Sequence, residues 1–514
     1  MKLYEPIAAQ AMAAQPMTAP VPFVLEEATV ESIHAAFRNK TLTCVELVKR
    51  YLERIEAYDR LGPALHAIIT VNPRALQIAE ALDRQYAQSG PIGALHGIPI
   101  ILKDNYNTVD MPTTGGNVLM KTSQPPADAY TVEKMRRAGA VILAKSNLQE
   151  FARGGSSMSS LGGQVLNPYD LTRNPGGSSG GTGAAIAANF AVLGTGSDTG
   201  QSTRSPASAN CLVGIRPTRG LVSRGGIMPN SATQDEIGPI ARTARDAALL
   251  LDVMAGHDPK DPITAFGTAR APASYADFGA HALQGARIGF MAEMVGAEER
   301  HGAVNRVMDG VMATMQACGA TILPFSLPEY TLLSDNVRTS EFEAQSVMDS
   351  YLHALGPDAP VKSFRQIVES RTAMPEIQAT LDMQLGIVDG MNQQIYKDRS
   401  LNREKLRLAV AAKMAELDLD AILYPLQKVL VAKVGQPQSE RNGILSNGTG
   451  YPAVTFPGGF SEPSGDAPLG VPIGAELLGR DFSEPLLLAL AHAFEQAARI
   501  RKPPQSTPPL AGAN

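Results

Sequence analysis

The chain has 514 residues, 44% of them hydrophobic and 18% charged, which is a globular composition with ample material for a large core. The 50 acidic and 45 basic residues leave a formal charge of -5, removing the electrostatic case for nucleic acid or an anionic membrane as partner. Three scattered cysteines, Cys44, Cys211 and Cys318, exclude a disulfide framework or cysteine metal cluster, and no apolar run approaches the roughly 18 residues of a spanning helix.

Taken in order, Met1 to Pro22 is rich in Ala, Met, Gln and Pro and has no continuous apolar core. It is a poor secretory signal, so residues 1–28 read as a loose leader on a cytoplasmic protein. A periplasmic or secreted location is the alternative if an export signal has been trimmed. Ile33, Phe37, Val45, Val48, Leu52 and Ile55 recur at helical spacing, broken near Asn39 to Thr43, and Thr43 with Glu46 forms a capping-box pattern. Ala67 to Val71 reads as a strand, Pro73 to Gln85 as a helix, Ile98 to Leu102 as a buried strand, Ala129 to Ala138 as a helix ended by Gly139, and Ala140 to Ala144 as another strand. Strand, helix, strand in this order argues an α/β fold.

Further along, Phe190 to Leu193 is strand-like, and Gly194 to Ser202 reads as a loop. Strands are predicted near 286–290, 320–324 and 420–425, and the last helix over Glu484 to Arg499. Residues 330–416 read as a mostly helical insertion, and residues 501–514 as a proline-rich flexible tail. Length alone favours about two to four domains. Chemistry-bearing segments scattered through the whole chain argue instead for one large domain over residues 29–500.

The densest of those segments is Gly176-Gly-Ser-Ser-Gly-Gly181 before an Ala-rich helix, followed by Asp198-Thr-Gly-Gln-Ser-Thr-Arg204. A glycine loop entering a helix presents backbone N–H groups to something anionic. Gly177 to Gly181 also fits the G-x-S-x-G nucleophile elbow, but that turn follows a strand, and Asn167 to Pro175 is polar and broken by proline. A phosphate loop at Gly139 to Ser146 fails because Ala144 stands where the second glycine belongs. The third reading uses a lysine base. Lys103 and Asp104 end the strand Ile98 to Leu102, and neighbours on a strand face opposite ways, so Lys103 enters a dry site without Asp104 neutralising it. Desolvation lowers an amine's pKa from about 10.4 and makes it a base near neutrality. The eight histidines show no metal-site spacing, and His96 lies seven residues before Lys103, on the wrong part of the strand for a relay.

Leu95-His-Gly-Ile-Pro99 with Lys103 and Asp104, the Gly176–Gly181 block, Asp198 to Gly200 with Ser202 and Arg204, and Gly214-Ile-Arg-Pro-Thr-Arg-Gly220 together resemble the amidase signature family, from about Thr29 to Glu495. The resemblance implies a single α/β/α domain with a central mixed sheet covered by helices. It implies a Ser-Ser-Lys triad with Ser202 as nucleophile, Ser178 as bridging serine in a cis peptide with Gly177, and Lys103 as base. The oxyanion would rest on backbone N–H groups of Thr199, Gly200, Gln201 and Ser202. In the family the loop Arg153 to Gly163 borders the acyl pocket, which makes Ser157 and Met158 pocket candidates with Gln201. Asp198, Arg204 and Ser179 are structural residues near the site, Arg204 having a substrate carboxylate as its alternative partner. Gln201 departs from the pattern, which usually has Gly before the nucleophile, and is expected to narrow the acyl pocket.

The expected function is hydrolysis of a small-molecule amide, a non-peptide amide or C-terminal carboxamide, through a serine acyl-enzyme without metal or organic cofactor. A homodimer is compatible with the family. The alternatives are an amidotransferase A-type subunit working in a complex, a carbamate or ester hydrolase, and an inactive binding protein of the same fold.

Overall fold

The apolar runs read from the sequence assemble into one mixed sheet of eleven strands, flanked by helices. The computed structural model describes residues 23–279 and 281–510, so the expected leader lies outside the described residues up to position 22. The first strands are β1 (Ile68–Val71), β2 (Pro99–Lys103), β3 (Val141–Ser146), a short hairpin of β4 (Met158–Ser159) and β5 (Gly163–Gln164), and β6 (Leu193–Asp198). They continue with β7 (Val213–Arg216), β8 (Glu236–Ala241), β9 (Arg287–Met291), β10 (Thr321–Phe325), β11 (Ala421–Pro425), β12 (Ala453–Phe460) and β13 (Pro472–Leu478). The large sheet runs β1-β3-β2-β6-β8-β7-β12-β13-β11-β9-β10. β2 is parallel to β3 and β6, and β9 to β10 and β11; the remaining pairs are antiparallel.

Local signals set the first elements. Helices Val30–Arg38 and Cys44–Ile55 break where expected, and both start on capping boxes, Thr29 with Ser32 and Thr43 with Glu46. The strand expected at 190–193 lies later. Gly194 to Ser197 is no loop: β6 pairs with β2 on one side and β8 on the other. Its glycines are packing positions, since a Cβ on Gly194 would sit 2.4 Å from Thr182 Cγ2. The helix Gly180–Ala187 is buried on every side, and a Cβ on Gly181 would meet the Asn147 carbonyl oxygen at 2.2 Å. Glycine there lets the helix start against the end of β3.

Five helices occupy the expected insertion, Tyr330–Asp335, Ser340–Ala354, Phe364–Glu369, Pro375–Leu385 and Gln394–Glu416. Met348, Leu352, Phe364, Ile367 and Leu381 form a separate apolar cluster that takes in Phe151 and Met228 from the body. No described helix is long and apolar enough to cross a membrane.

The segment after residue 500, read from its prolines as a loose tail, is tied down over its described part. Arg501 makes two bonds to Glu27, at 2.6 and 2.9 Å. Arg54, fully buried, donates to the carbonyl oxygens of Asn189 at 3.1 Å, Ala188 at 2.9 Å, Thr507 at 2.8 Å and Pro508 at 3.0 Å, and to Glu26 at 2.7 Å. All five guanidinium N–H groups are thereby met. Deleting residues 506–514 leaves two of them without their carbonyls and is expected to lower the unfolding free energy by about 2–4 kcal/mol, read from urea denaturation. A loss under about 0.5 kcal/mol would show that the tail is not held.

Candidate active site

The site forms where parallel strands end side by side. Because β2 runs parallel to β6, with Ile101 opposite Gly194, its last residue Lys103 lies beside the end of β6 and the turn that follows. Crevices outside the carboxyl ends of parallel strands are where α/β sheets hold ligands. Lys103 is fully buried, and its Nζ donates to Ser178 Oγ at 2.7 Å, to Ser197 Oγ at 2.9 Å and to the Ser197 carbonyl at 3.3 Å. Asp104 points the other way: Lys145 Nζ lies 2.9 Å from its Oδ1, and Thr114 bonds its Oδ2. Burial carries the Lys103 amine down to about 7, against the opposing pull of the Asp198 and Asp235 carboxylates.

Ser197 is a partner that the sequence reading missed. A period-two signal was present, because Thr195 and Ser197 share one face of β6: Thr195 Oγ1 accepts from the Lys103 backbone N–H at 3.3 Å, and Ser197 Oγ meets its amine. Reading the segment as loop hid that alternation. Asn105 Nδ2 also donates to Ser197 Oγ, at 3.0 Å.

Ser178 sits in the glycine loop, and its peptide bond with Gly177 is cis. The loop is not an anion cradle, because the protein itself takes its N–H groups. Ser179 N donates to the Ser202 carbonyl at 3.2 Å, Gly180 N to Ser157 Oγ at 2.9 Å and Gly181 N to the Asn147 carbonyl at 3.1 Å. Two assignments change with this. Ser157, completely buried, braces the loop by donating to the Gly176 carbonyl at 2.8 Å, and Met158 is held in the β4–β5 hairpin opposite Gln164. Neither lines the cavity at Ser202; Ala152 and Gly154, earlier in that tract, do.

Ser202 lies on the turn between β6 and the helix Arg204–Ala209, on the wall of a cavity of about 240 Å³. Its hydroxyl makes no hydrogen bond to Ser178 or to any other described group, so the last link of the expected relay is open here. Among the described residues no acceptor takes the backbone N–H groups of Thr199, Gly200, Gln201 or Ser202. Gln201 meets no conformational obstacle, for its φ is not in the left-handed region. Its Oε1 accepts from Gly443 N at 2.9 Å, while Nε2 is buried without a partner at the cavity edge.

The turn is held by a buried charge network. Arg204 bonds Asp198 at 3.1 Å and Glu476 at 2.6 Å, and donates to the carbonyl oxygens of Gly200 at 2.6 Å and Gly443 at 3.2 Å. Arg216 approaches Asp198 at 3.1 Å, and Tyr424 and Thr455 donate to Glu476 at 2.6 and 2.8 Å. Burial raises the Asp198 carboxyl, but Arg204 and Arg216 outweigh it and hold it at about 2. Arg204 is fully enclosed and so engaged; it has no free edge for a substrate carboxylate, which removes that alternative. Ser179 Oγ reaches the Ser197 carbonyl at 3.5 Å. His96 packs against Tyr86 with the rings tilted, centroids 5.3 Å apart, before the start of β2.

A family model described as Amidase matches residues 46–488. A probable amidase of Arabidopsis thaliana is 34% identical over 502 residues, spanning 94% of this chain and 92% of that protein. The A-type subunit of glutamyl-tRNA(Gln) amidotransferase from Carboxydothermus hydrogenoformans is 35% identical over 505 residues, spanning 92% and 98%. The solved structure of peptide amidase from Stenotrophomonas maltophilia superposes with a TM-score of 0.85 at 33% identity, covering 94% of this chain and 99% of that one.

Removing one member of the charge network leaves its partners buried and uncompensated. Glu476→Ala is expected to lower the unfolding free energy by about 3–5 kcal/mol in chemical denaturation. A change below about 1 kcal/mol would show that the network does not hold the turn.

Proposed function

This chain belongs to the amidase signature family, and on that premise we propose that it hydrolyses a carbon–nitrogen amide bond through a serine acyl-enzyme. Ser202 is the nucleophile, Ser178 the bridging serine and Lys103 the base. The observation that carries the reading is a buried amine 2.7 Å from one serine, with the neighbouring carboxylate engaged by another lysine. An uncharged amine has two N–H bonds and one lone pair. With its hydrogens on the Ser197 carbonyl and hydroxyl, its lone pair meets the Ser178 O–H.

Lys103 takes the Ser178 proton, Ser178 takes the Ser202 proton, and Ser202 Oγ bonds the amide carbon. The carbonyl oxygen becomes an anion beside the N–H groups of Thr199 to Ser202, where a missing donor typically costs about 10²–10³ in rate. The relay then runs backwards, protonating the nitrogen as the carbon–nitrogen bond breaks. Water repeats the sequence on the ester and releases the acid. The relay needs the Ser202 hydroxyl to swing onto Ser178, and such contacts tighten when substrate binds. A non-peptide amide or a C-terminal carboxamide suits the small cavity.

The similarity to A-type amidotransferase subunits supports a second reading, a protein supplying ammonia within a complex. Purified by itself, such a protein would release little acid from free amides, whereas the hydrolase reading expects full turnover.

Lys103→Ala is expected to lower kcat/KM by about 10⁴-fold or more, with no single histidine substitution doing so. The base works only when deprotonated, so kcat/KM should rise with pH, roughly tenfold per unit below about 7, and level off above. A profile that falls across that range would reject Lys103 as base. A fluorophosphonate should label Ser202 in the folded protein, and Ser202→Ala should abolish labelling.

A further inference from the structure

The cavity beside Ser202 is lopsided in charge. Arg338 and Arg441 line it, with Gln201, Asn230, Gln234 and Asn447, and no aspartate or glutamate does. An adjoining cavity of about 230 Å³, which shares Ala152, Thr199 and Asn230 with it, is balanced: Arg224 and Lys260 line it together with Asp235 and Asp261, and Arg224 lies 2.9 Å from Asp261. The imbalance is therefore specific to the side that holds the nucleophile.

Neither arginine of the first cavity has an internal counterion. Among the described residues no carboxylate lies within 4.0 Å of either guanidinium. Arg441 donates only to the Gly177 carbonyl, at 3.3 Å, and its Nε is buried without a partner. Burial lowers its pKa to about 10, with Arg338 pushing in the same direction and the more distant Asp198 carboxylate pulling against both, so it keeps its charge at neutral pH without a carboxylate in contact. Arg338 is exposed, so water screens its charge at the cavity rim, whereas Arg441 sits mostly out of water with no ion-pair partner and is the group that an anion in this cavity would satisfy. The unpartnered Gln201 Nε2 adds another N–H donor to the same wall.

Resting on the serine-hydrolase reading, we propose that the substrate amide carries a carboxylate, held by Arg441 and Arg338 while Ser202 attacks the amide carbon. A planar carboxylate matches the two-pronged guanidinium, and Ser202, Arg338 and Arg441 line the same cavity, so one small substrate can present its amide to the serine and its carboxylate to the arginines. That geometry suits a dicarboxylic acid monoamide, with the charge on the acyl side, or an N-acyl amino acid, with the charge on the departing amine.

The test compares kcat/KM for succinic acid monoamide and N-acetylglycine with their uncharged methyl esters, scored by amide cleavage, in the full-length enzyme. At least one anionic amide should exceed its ester by about tenfold or more, a preference that 0.5 M NaCl weakens. Whichever anion wins identifies the charged side. Arg338→Gln and Arg441→Gln should each bring the ratio towards one, mainly through KM, and Arg441→Lys should restore part of it; exposed Arg365→Gln should not move it. If a variant fails to fold, binding of the same pairs to Ser202→Ala by calorimetry decides, with the anion expected to bind about tenfold tighter. Cleavage of neutral amides with fluorophosphonate labelling of Ser202, but no anionic preference, overturns this inference and leaves the hydrolase reading intact. Absence of both labelling and turnover overturns the hydrolase reading, and equal calorimetric affinities then overturn the carboxylate site as well.

Discussion

The structure turns on a lysine amine sealed from water without a carboxylate at contact distance. Lys103 and Asp104 are adjacent, and the obvious fate of the pair is mutual neutralisation. Strand geometry prevents it, since β2 sends Lys103 to the serine side and Asp104 to Lys145. Burial pushes Asp104 up and Lys145 down, so that pair satisfies itself away from the site, while Lys103 has only hydroxyl and carbonyl oxygens around its nitrogen. The low pKa follows from this arrangement rather than from any repelling cation.

Keeping an amine dry requires a rigid surround, and the molecule supplies it in two materials. On the Ser178 side it is backbone: glycines at 176, 180 and 181 let the loop press against Ser205, Ser157 and Asn147, where a Cβ would collide with main chain or side chain at 2.2–2.9 Å. On the Ser202 side it is charge. Asp198 and Arg204 from one stretch, Arg216 from a second and Glu476 from a third interlock through β6, β7 and β13, closing a balanced buried network around the turn. Ser178 is thereby held at the amine, and the turn that carries Ser202 is fixed, by elements that contribute no group to the proposed relay.

The outer wall is built differently. Arg338 precedes the helix Ser340–Ala354, and Arg441 precedes the helix Ile444–Thr449, so both come from the half of the chain without catalytic blocks. In the proposed reaction the inner machinery acts on the amide itself, and these side chains line the cavity beyond it.

Local sequence alone determined the α/β alternation, the paired capping boxes, the helical stretch at 330–416 and the opposed directions of Lys103 and Asp104, because periodicity and strand alternation need only a few neighbouring residues. Its misreadings have a common cause. Gly194 to Ser197 looked like loop until β2 and β8 enclosed it, the 501–510 segment looked loose until Arg54 claimed its carbonyls, and Met158 looked like pocket wall until the hairpin turned it aside. Ser197 at the amine, the Glu476 counterion and the unpaired Arg338 and Arg441 were decided only by tertiary structure. Each depends on contact between segments roughly a hundred or more residues apart, and a linear pattern carries no record of which distant charge is neutralised and which is left waiting.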